Sequence, residues 1–196
     1  MVKINNINLT YEQISFICGG LLGDLGLQFW GKNWRIRSGT QVDRDWLFKQ
    51  YEILKEFVQT PPKLDKNGKW YFNTLTIPAL QEVDKLWYPN ATKESVGIKV
   101  MPYLWIQDNF NDISLATLFM GDGSKRDSGY IFCLDNFTRE EVIWFGQFLK
   151  DKYELNNNQW TKDNKPRLYI PANSRDKLTQ IVLPYMVESQ KRKLFL

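Results

Sequence analysis

Two aspartates, Asp24 and Asp122, each close an apolar run, and they stand 98 positions apart in a chain of 196 residues. The runs are FICGGLLGDLGL, Phe16 to Leu27, and SLATLFMGDGSK, Ser114 to Lys125. Superimposing the two acids pairs Gly23 with Gly121, Leu22 with Met120, Leu21 with Phe119, Cys18 with Ala116 and Ile17 with Leu115. A helix this apolar is buried almost all round, whereas the acid that closes it is costly to bury without a cation or partner. Packed side by side through small residues (Gly19, Gly20 and Gly23 in one, Ala116 and Gly121 in the other), two such helices would bring both carboxylates to one end. Paired carboxylates repel unless a divalent cation neutralises them. The partial negative charge of each helix C-terminus favours a cation at the same place.

The chain has no histidine. That excludes Ser-His-Asp and Cys-His catalysis, histidine-ligated zinc and histidine-base nucleases. Carboxylates, lysines, metal ions and water are left to carry any hydrolysis. Two cysteines, Cys18 and Cys133, form no disulfide framework and suit a reducing compartment. Cys18 lies on the first apolar run, where inert packing is its expected role. A net charge of +4 and a pI near 8.9 are mildly basic and fit a polyanionic partner. No apolar run reaches the roughly 20 residues of a membrane span, and the polar N-terminus lacks a cleavable hydrophobic region. The expectation is an intracellular, non-secreted protein with no membrane partner.

Around the acids the chain reads as a repeated order. Tyr11 to Asp24 is the first buried helix, followed by a hairpin of Gln28–Trp30 and Trp34–Thr40 turned at Gly31-Lys32-Asn33. In its return strand Arg35, Arg37 and Gln41 alternate with Trp34, Ile36 and Ser38, so one face is polar and basic. Asp43 is positioned to cap a helix running to about Val58, which Pro61-Pro62 stops. Lys66-Asn67-Gly68-Lys69 turns a second hairpin within Lys63–Ile77, and a short helix spans Ala79–Trp87. Tyr88–Pro102 is a linker. The second half then offers the helix ending at Asp122, a hairpin turned at Lys125–Gly129, and a capping box Thr138-Arg139-Glu140-Glu141 opening a helix to about Tyr153. A hairpin over Asn157–Ile170 and a helix from Asn173 to Tyr185 complete it. Each half, 1–98 and 99–196, reads helix, hairpin, helix, hairpin, helix.

At the two acid-closed runs the chain resembles the LAGLIDADG homing endonucleases. The last acid of the nine-residue motif falls on Asp24 and on Asp122. Its earlier acid is Leu22 in one copy and Met120 in the other, its glycine is Thr117 in the second copy, and Leu25 replaces the closing glycine of the first. The resemblance implies an α+β fold of two pseudo-symmetric αββαββα halves, each with a curved antiparallel sheet, packed through the motif helices. With both motifs in one chain it implies a monomer. It further implies a site-specific double-strand DNA endonuclease of the intron-encoded type, hydrolysing phosphodiesters across the minor groove and leaving short 3′ overhangs.

Asp24 and Asp122 are then the catalytic metal ligands, with the carbonyls of Gly23 and Gly121 as further oxygens. The expected cofactor is Mg2+, which accepts hard oxygens and keeps places for water and phosphate; Mn2+ or Ca2+ would substitute in binding. Lys99, three residues before Pro102, and Lys193, followed by Leu194, resemble the family's active-site lysines. A lysine there stabilises developing negative charge or orients water. Gln41, Asp127 and Asp135 follow hairpin strands or turns and are candidates for the surroundings of the metals. Lys32, Arg35, Arg37, Gln41, Lys66, Lys69, Lys125, Arg126, Lys162, Lys165 and Arg167 are the DNA-contact candidates, because paired strands fit the major groove and such side chains read base edges there. Two rivals share the fold: an intron maturase binding intron RNA, and a non-cleaving DNA-binding regulator. Organelle, bacterial cytoplasm and phage-infected cell all suit the chain, and nothing in it names the target sequence.

Overall fold

The computed structural model describes residues 9–30, 33–92, 95 and 97–196. Its centre is a parallel pair of apolar helices. The first, α1 (Tyr11–Leu22), opens on a capping box in which the Thr10 hydroxyl accepts from the Gln13 N–H and the Gln13 side chain accepts from the Thr10 N–H. Between α1 and its counterpart lie two hairpins, β1 (Gly26–Trp30) with β2 (Asn33–Thr40) and β3 (Lys63–Leu64) with β4 (Trp70–Asn73), and two helices, α2 (Arg44–Leu54) and α3 (Leu80–Trp87). A short helix, α4 (Tyr103–Asn109), leads to the second motif helix, α5 (Asp112–Asp122). Then come β5 (Gly123–Arg126), β6 (Gly129–Cys133), α6 (Arg139–Tyr153), β7 (Asn158–Lys162), β8 (Lys165–Ile170) and α7 (Ala172–Val182). A 3-10 segment, Glu188–Lys193, carries the last basic cluster.

The four strands of each half form one antiparallel sheet, in the order β1-β2-β4-β3 and again β5-β6-β8-β7. The identical order is the expected pseudo-symmetry. Four departures from the sequence reading have identifiable causes. Helix α4 stands between the linker and the second motif helix because Trp105 and Ile106 find burial immediately after Pro102. Asp43 holds the cap position of α2 but makes no side-chain cap bond; its carboxylate accepts from Arg192 instead, at 2.8 Å. Helix α2 stops at Leu54 and tightens into a 3-10 turn, Lys55–Phe57, well before the prolines. The last helix likewise passes into a 3-10 turn, Leu183–Tyr185, at Pro184. The hairpin β7–β8 turns on Asp163 and Asn164, both with positive φ, the two-residue turn that Asp and Asn tolerate.

The helix pair is in contact along its length. Near its start, Asn111 Nδ2 donates to Ser15 Oγ at 2.6 Å and Ser114 Oγ donates to the Ser15 carbonyl at 2.8 Å. A Cβ on Gly19 would stand 2.0 Å from the Ser114 carbonyl oxygen, so the backbones meet where only glycine fits. Gly20 instead faces Leu25 of its own half, and Gly121 has space around it. Small residues therefore set the approach at Gly19 and Gly23 rather than throughout. Cys18, Leu21, Leu115, Ala116, Leu118 and Phe119 are fully enclosed, and burial raises the Cys18 thiol pKa far above its usual range.

Gly19→Ala should lower stability by about 1–3 kcal/mol, since the clash is with backbone. Gly121→Ala, whose added Cβ would have Asp24 N as its nearest neighbour at 3.8 Å, should barely shift the melting temperature. Equal losses in thermal melts of the two variants would contradict this contact.

Candidate functional site

The two acids meet at the far end of the helix pair, each set across from the other copy's glycine. A Cβ on Gly23 would lie 2.6 Å from Asp122 Oδ2, and one on Gly121 would lie 3.9 Å from Asp24 Oδ2. Gly23 is thus glycine because the opposite carboxylate occupies the space of a side chain. The ends are unequal. Helix α1 stops at Leu22, with the Gly23 and Leu25 N–H groups both closing on the Gly20 carbonyl, so Asp24 stands beyond it and is exposed. Asp122 is the last residue of α5 and only partly accessible. Burial, and next the charge of Asp24, push the Asp122 carboxyl up to about 7, with Lys193 and Lys99 pulling the other way.

Both sequence-derived lysines arrive here. Lys99 Nζ donates to the carbonyls of Leu21 (2.9 Å), Gly23 (3.3 Å) and Leu25 (3.3 Å), and Lys193 Nζ to those of Met120 (2.6 Å) and Gly121 (3.1 Å). Each ammonium thereby caps the negative end of one motif helix. Burial lowers Lys99 to about 8, opposed by Asp122 and Asp24. Burial also lowers Lys193, opposed first by Asp43. The carbonyls of Gly23 and Gly121, expected as metal oxygens, already accept these lysines and keep a second lone pair each. Among the described residues no cluster of three His, Cys, Asp or Glu side chains surrounds a point. Two carboxylates held against their own repulsion, with carbonyl oxygens alongside, fit a hard divalent cation that keeps most of its ligands as water or substrate oxygen. They do not fit a closed zinc site.

Strand register locates the remaining acids. Gly26, two residues after Asp24, pairs with Arg37, and Ser124, two after Asp122, pairs with Ile131. Arg37 therefore matches Ile131, and Gln41 matches Asp135. Asp135 is near the pair, since its charge adds to the upward push on Asp122, and it accepts from Arg167 (3.2 Å) and faces Lys165 (3.5 Å). Gln41 is exposed at the end of β2. Asp127 is a correction: it turns the β5–β6 hairpin with φ 51°, pairs with Arg126, and lies a full strand away from the acids.

The basic candidates divide by face. Arg35 donates from Nε and Nη2 to Gln28 Oε1 (3.1 and 2.8 Å) and lies 4.0 Å over the Trp30 ring. Arg37 and Lys63 flank Tyr71 on the same solvent face. A cleft of about 390 Å3 beside Asp24 is lined by Gln28, Arg37, Lys69 and Tyr71, among others. In the second sheet Arg126 and Arg167 both lie against Trp160. Lys162 and Lys165 face each other across the β7–β8 turn, and Lys66 is exposed at the β3–β4 turn. Lys125 alternates to the face opposite Arg126, beside Tyr130, with its ammonium over the Phe195 ring. Lys32 lies outside the described residues. Gln28, Tyr71 and Trp160 escaped the sequence reading, which weighted charge; Gln28 and Tyr71 stand next to buried Leu27 and Phe72, an alternation that marks a solvent face.

In metal-free protein the raised Asp122 pKa has a definite sign. Ionisation, free in the unfolded chain above about 4, is opposed in the fold until about 7, so native stability falls across that window. Asp122→Asn should therefore melt higher than the wild type at pH 8 without metal, by on the order of 2 kcal/mol, with the gain gone near pH 4. A gain independent of pH in paired thermal melts would refute the assignment.

The family model described as "LAGLIDADG DNA endonuclease family" matches residues 14–178. The chain is 26% identical to DNA endonuclease I-ChuI of Chlamydomonas applanata across 96% of each. It is 31% identical to the cytochrome b mRNA maturase bI2 of Saccharomyces cerevisiae over 97% of its own length but only 49% of that relative. Among solved structures, homing endonuclease I-WcaI bound to its DNA recognition sequence superposes with a TM-score of 0.87 at 23% identity, covering 99% of this chain and 90% of that one. I-DmoI in complex with DNA and Mn superposes at 0.56 and 14% identity, covering 91% and 100%.

Proposed function

The chain belongs to the LAGLIDADG DNA endonuclease family, and from that premise we propose that it is a site-specific endonuclease hydrolysing both strands of duplex DNA with divalent metal. The observation that carries the reading is the crossed pair Asp24 and Asp122, each carboxylate against the other copy's glycine, with a lysine at the foot of each helix. Asp24 and Asp122 hold the cation, with the free lone pairs of the Gly23 and Gly121 carbonyls beside them, and Mg2+ suits this oxygen set. A bound divalent ion supplies positive charge at the scissile phosphate and makes water more acidic.

The chain's own groups do the rest. Lys99 and Lys193 keep fixed ammonium groups where charge grows on the departing oxygens. Asp135, bridged to Arg167 and Lys165, holds the basic end of β8 next to the acids. The outer faces of the sheets lie along the major groove, where Arg35, Arg37, Arg126 and Arg167 face bases and phosphates. Phosphate contacts make affinity fall with salt, with a slope of about −0.9 per phosphate neutralised. Both motifs lie in one chain, so halves 1–98 and 99–196 complete the site as a monomer. Cleavage across the minor groove leaves short 3′ overhangs.

A second reading, intron RNA binding in splicing, draws on the identity with the yeast maturase, of which the chain spans about half. No helix among the described residues is long and apolar enough to cross a membrane. The free thiols Cys18 and Cys133 and a DNA substrate accord with an intracellular location.

Incubation with a randomised duplex library and Mg2+, followed by sequencing of cut ends, should yield one long preferred site. On that site Asp24→Asn and Asp122→Asn should each slow cleavage by about 100-fold or more while retaining DNA affinity. Wild-type cutting by either variant would refute the metal assignment. Tight intron RNA binding without duplex cleavage would favour the second reading.

A further inference from the structure

We propose that the first turns of α2 and α6 are crossed latches: Asp45, with Asp43, positions Lys193, and Glu141 positions Lys99. Each lysine is then held in place by the half opposite to the motif helix it serves. The proposal rests on the nuclease reading above and assigns three further positioning residues within it.

Lys99 bonds the carbonyl end of α1, in the first half. Its backbone is pinned two residues on, where the Met101 N–H donates to Glu141 Oε1 at 2.6 Å, in the second half. Glu141 is buried, and its other oxygen accepts from the Thr138 N–H at 2.7 Å in the capping box of α6. Lys193 bonds the carbonyl end of α5, in the second half. Its segment is pinned to α2, in the first: Arg192 Nη2 donates to Asp43 Oδ1 at 2.8 Å, the Ser189 N–H to Asp45 Oδ2 at 3.1 Å, and the Ser189 hydroxyl to Asp45 Oδ1. The two arrangements match under the pseudo-symmetry. In each, an acid in the first turn of the second helix grips the segment carrying the lysine that serves the other half's motif helix.

The physical need is plain. A lysine reaches its target on a flexible four-carbon stem, so helix carbonyls alone do not fix its ammonium unless the backbone behind it is also fixed. The helix N-terminus favours a carboxylate, and that carboxylate has lone pairs to spare for the passing segment. Because the grips cross, either lysine loses its seat when the halves part, even if its own motif helix is intact. Displacement of a positioning group by about 1 Å is enough to slow a reaction by as much as 10²-fold.

The test is single-turnover cleavage of the selected target duplex, its strands carrying different end labels, by the full chain with Mg2+. Lys193→Met and Lys99→Met should slow opposite strands. Asp45→Ala should slow the same strand as Lys193→Met by about 10-fold, leaving the other strand and the DNA Kd within about two-fold. Glu141→Gln, which keeps one acceptor where two are needed, should follow Lys99→Met. If Asp45→Ala melts too low to assay, Arg192→Leu breaks the neighbouring contact and should give the same strand bias. Latch variants that slow both strands equally, or neither, while the lysine variants stay strand-selective would overturn the latches and leave the nuclease reading standing. Lysine variants without strand bias would overturn the lysine assignment and the latches together.

Discussion

Like charge at the ends of two parallel helices is the constraint to which the rest of the molecule responds. Asp24 and Asp122 are forced together by backbones that touch at Gly19, and each motif helix directs its negative pole to the same place. Burial and mutual repulsion raise Asp122 to about 7, the signature of a site incomplete without positive charge. The fold supplies part of that charge. Lys99 and Lys193 do not form close ion pairs with the acids but bond the helix-end carbonyls, removing the dipole contribution and leaving the carboxylates to be compensated from outside. The arrangement separates what keeps the protein folded from what makes it reactive.

The symmetry is broken where chemistry takes place. Asp24 lies past its helix and is exposed, whereas Asp122 ends its helix and is mostly covered. Across the axis Arg37 is matched by Ile131 and Gln41 by Asp135, so the first sheet has an exposed cation where the second has a buried isoleucine, and the second ties Asp135 to Arg167 and Lys165. The two halves accordingly offer different surfaces to the two halves of a target, as a non-palindromic site would require.

Much of this was legible from residue order. The apolar runs, the duplicated Gly-Asp ends, the turn at Gly68 and the Thr138–Glu141 capping box are local signals, and local physics decides them. Lys99 and Lys193 were found through likeness to a motif. What eluded the sequence depends on contacts between distant parts. Asp43 reads as an ordinary cap until Arg192 arrives from the far end of the chain, and Glu141 reads as half of a capping box although its second oxygen holds Met101. Lys125 and Arg126 look alike in a list of charges, but strand pleat sends them to opposite faces. Asp127 stood out for its place at a hairpin, but the length of β5 carries it away from Asp122.

The Arg35–Gln28 pair has a bearing on efforts to redirect the protein to new sequences. Because the guanidinium spends two N–H groups on one amide oxygen and rests on Trp30, neither side chain is an independent letter of a recognition code. Altering one frees or strands the other, so effects of single replacements at these positions will not sum. Repertoires built for altered targeting would have to vary residues 28, 30 and 35 as one unit.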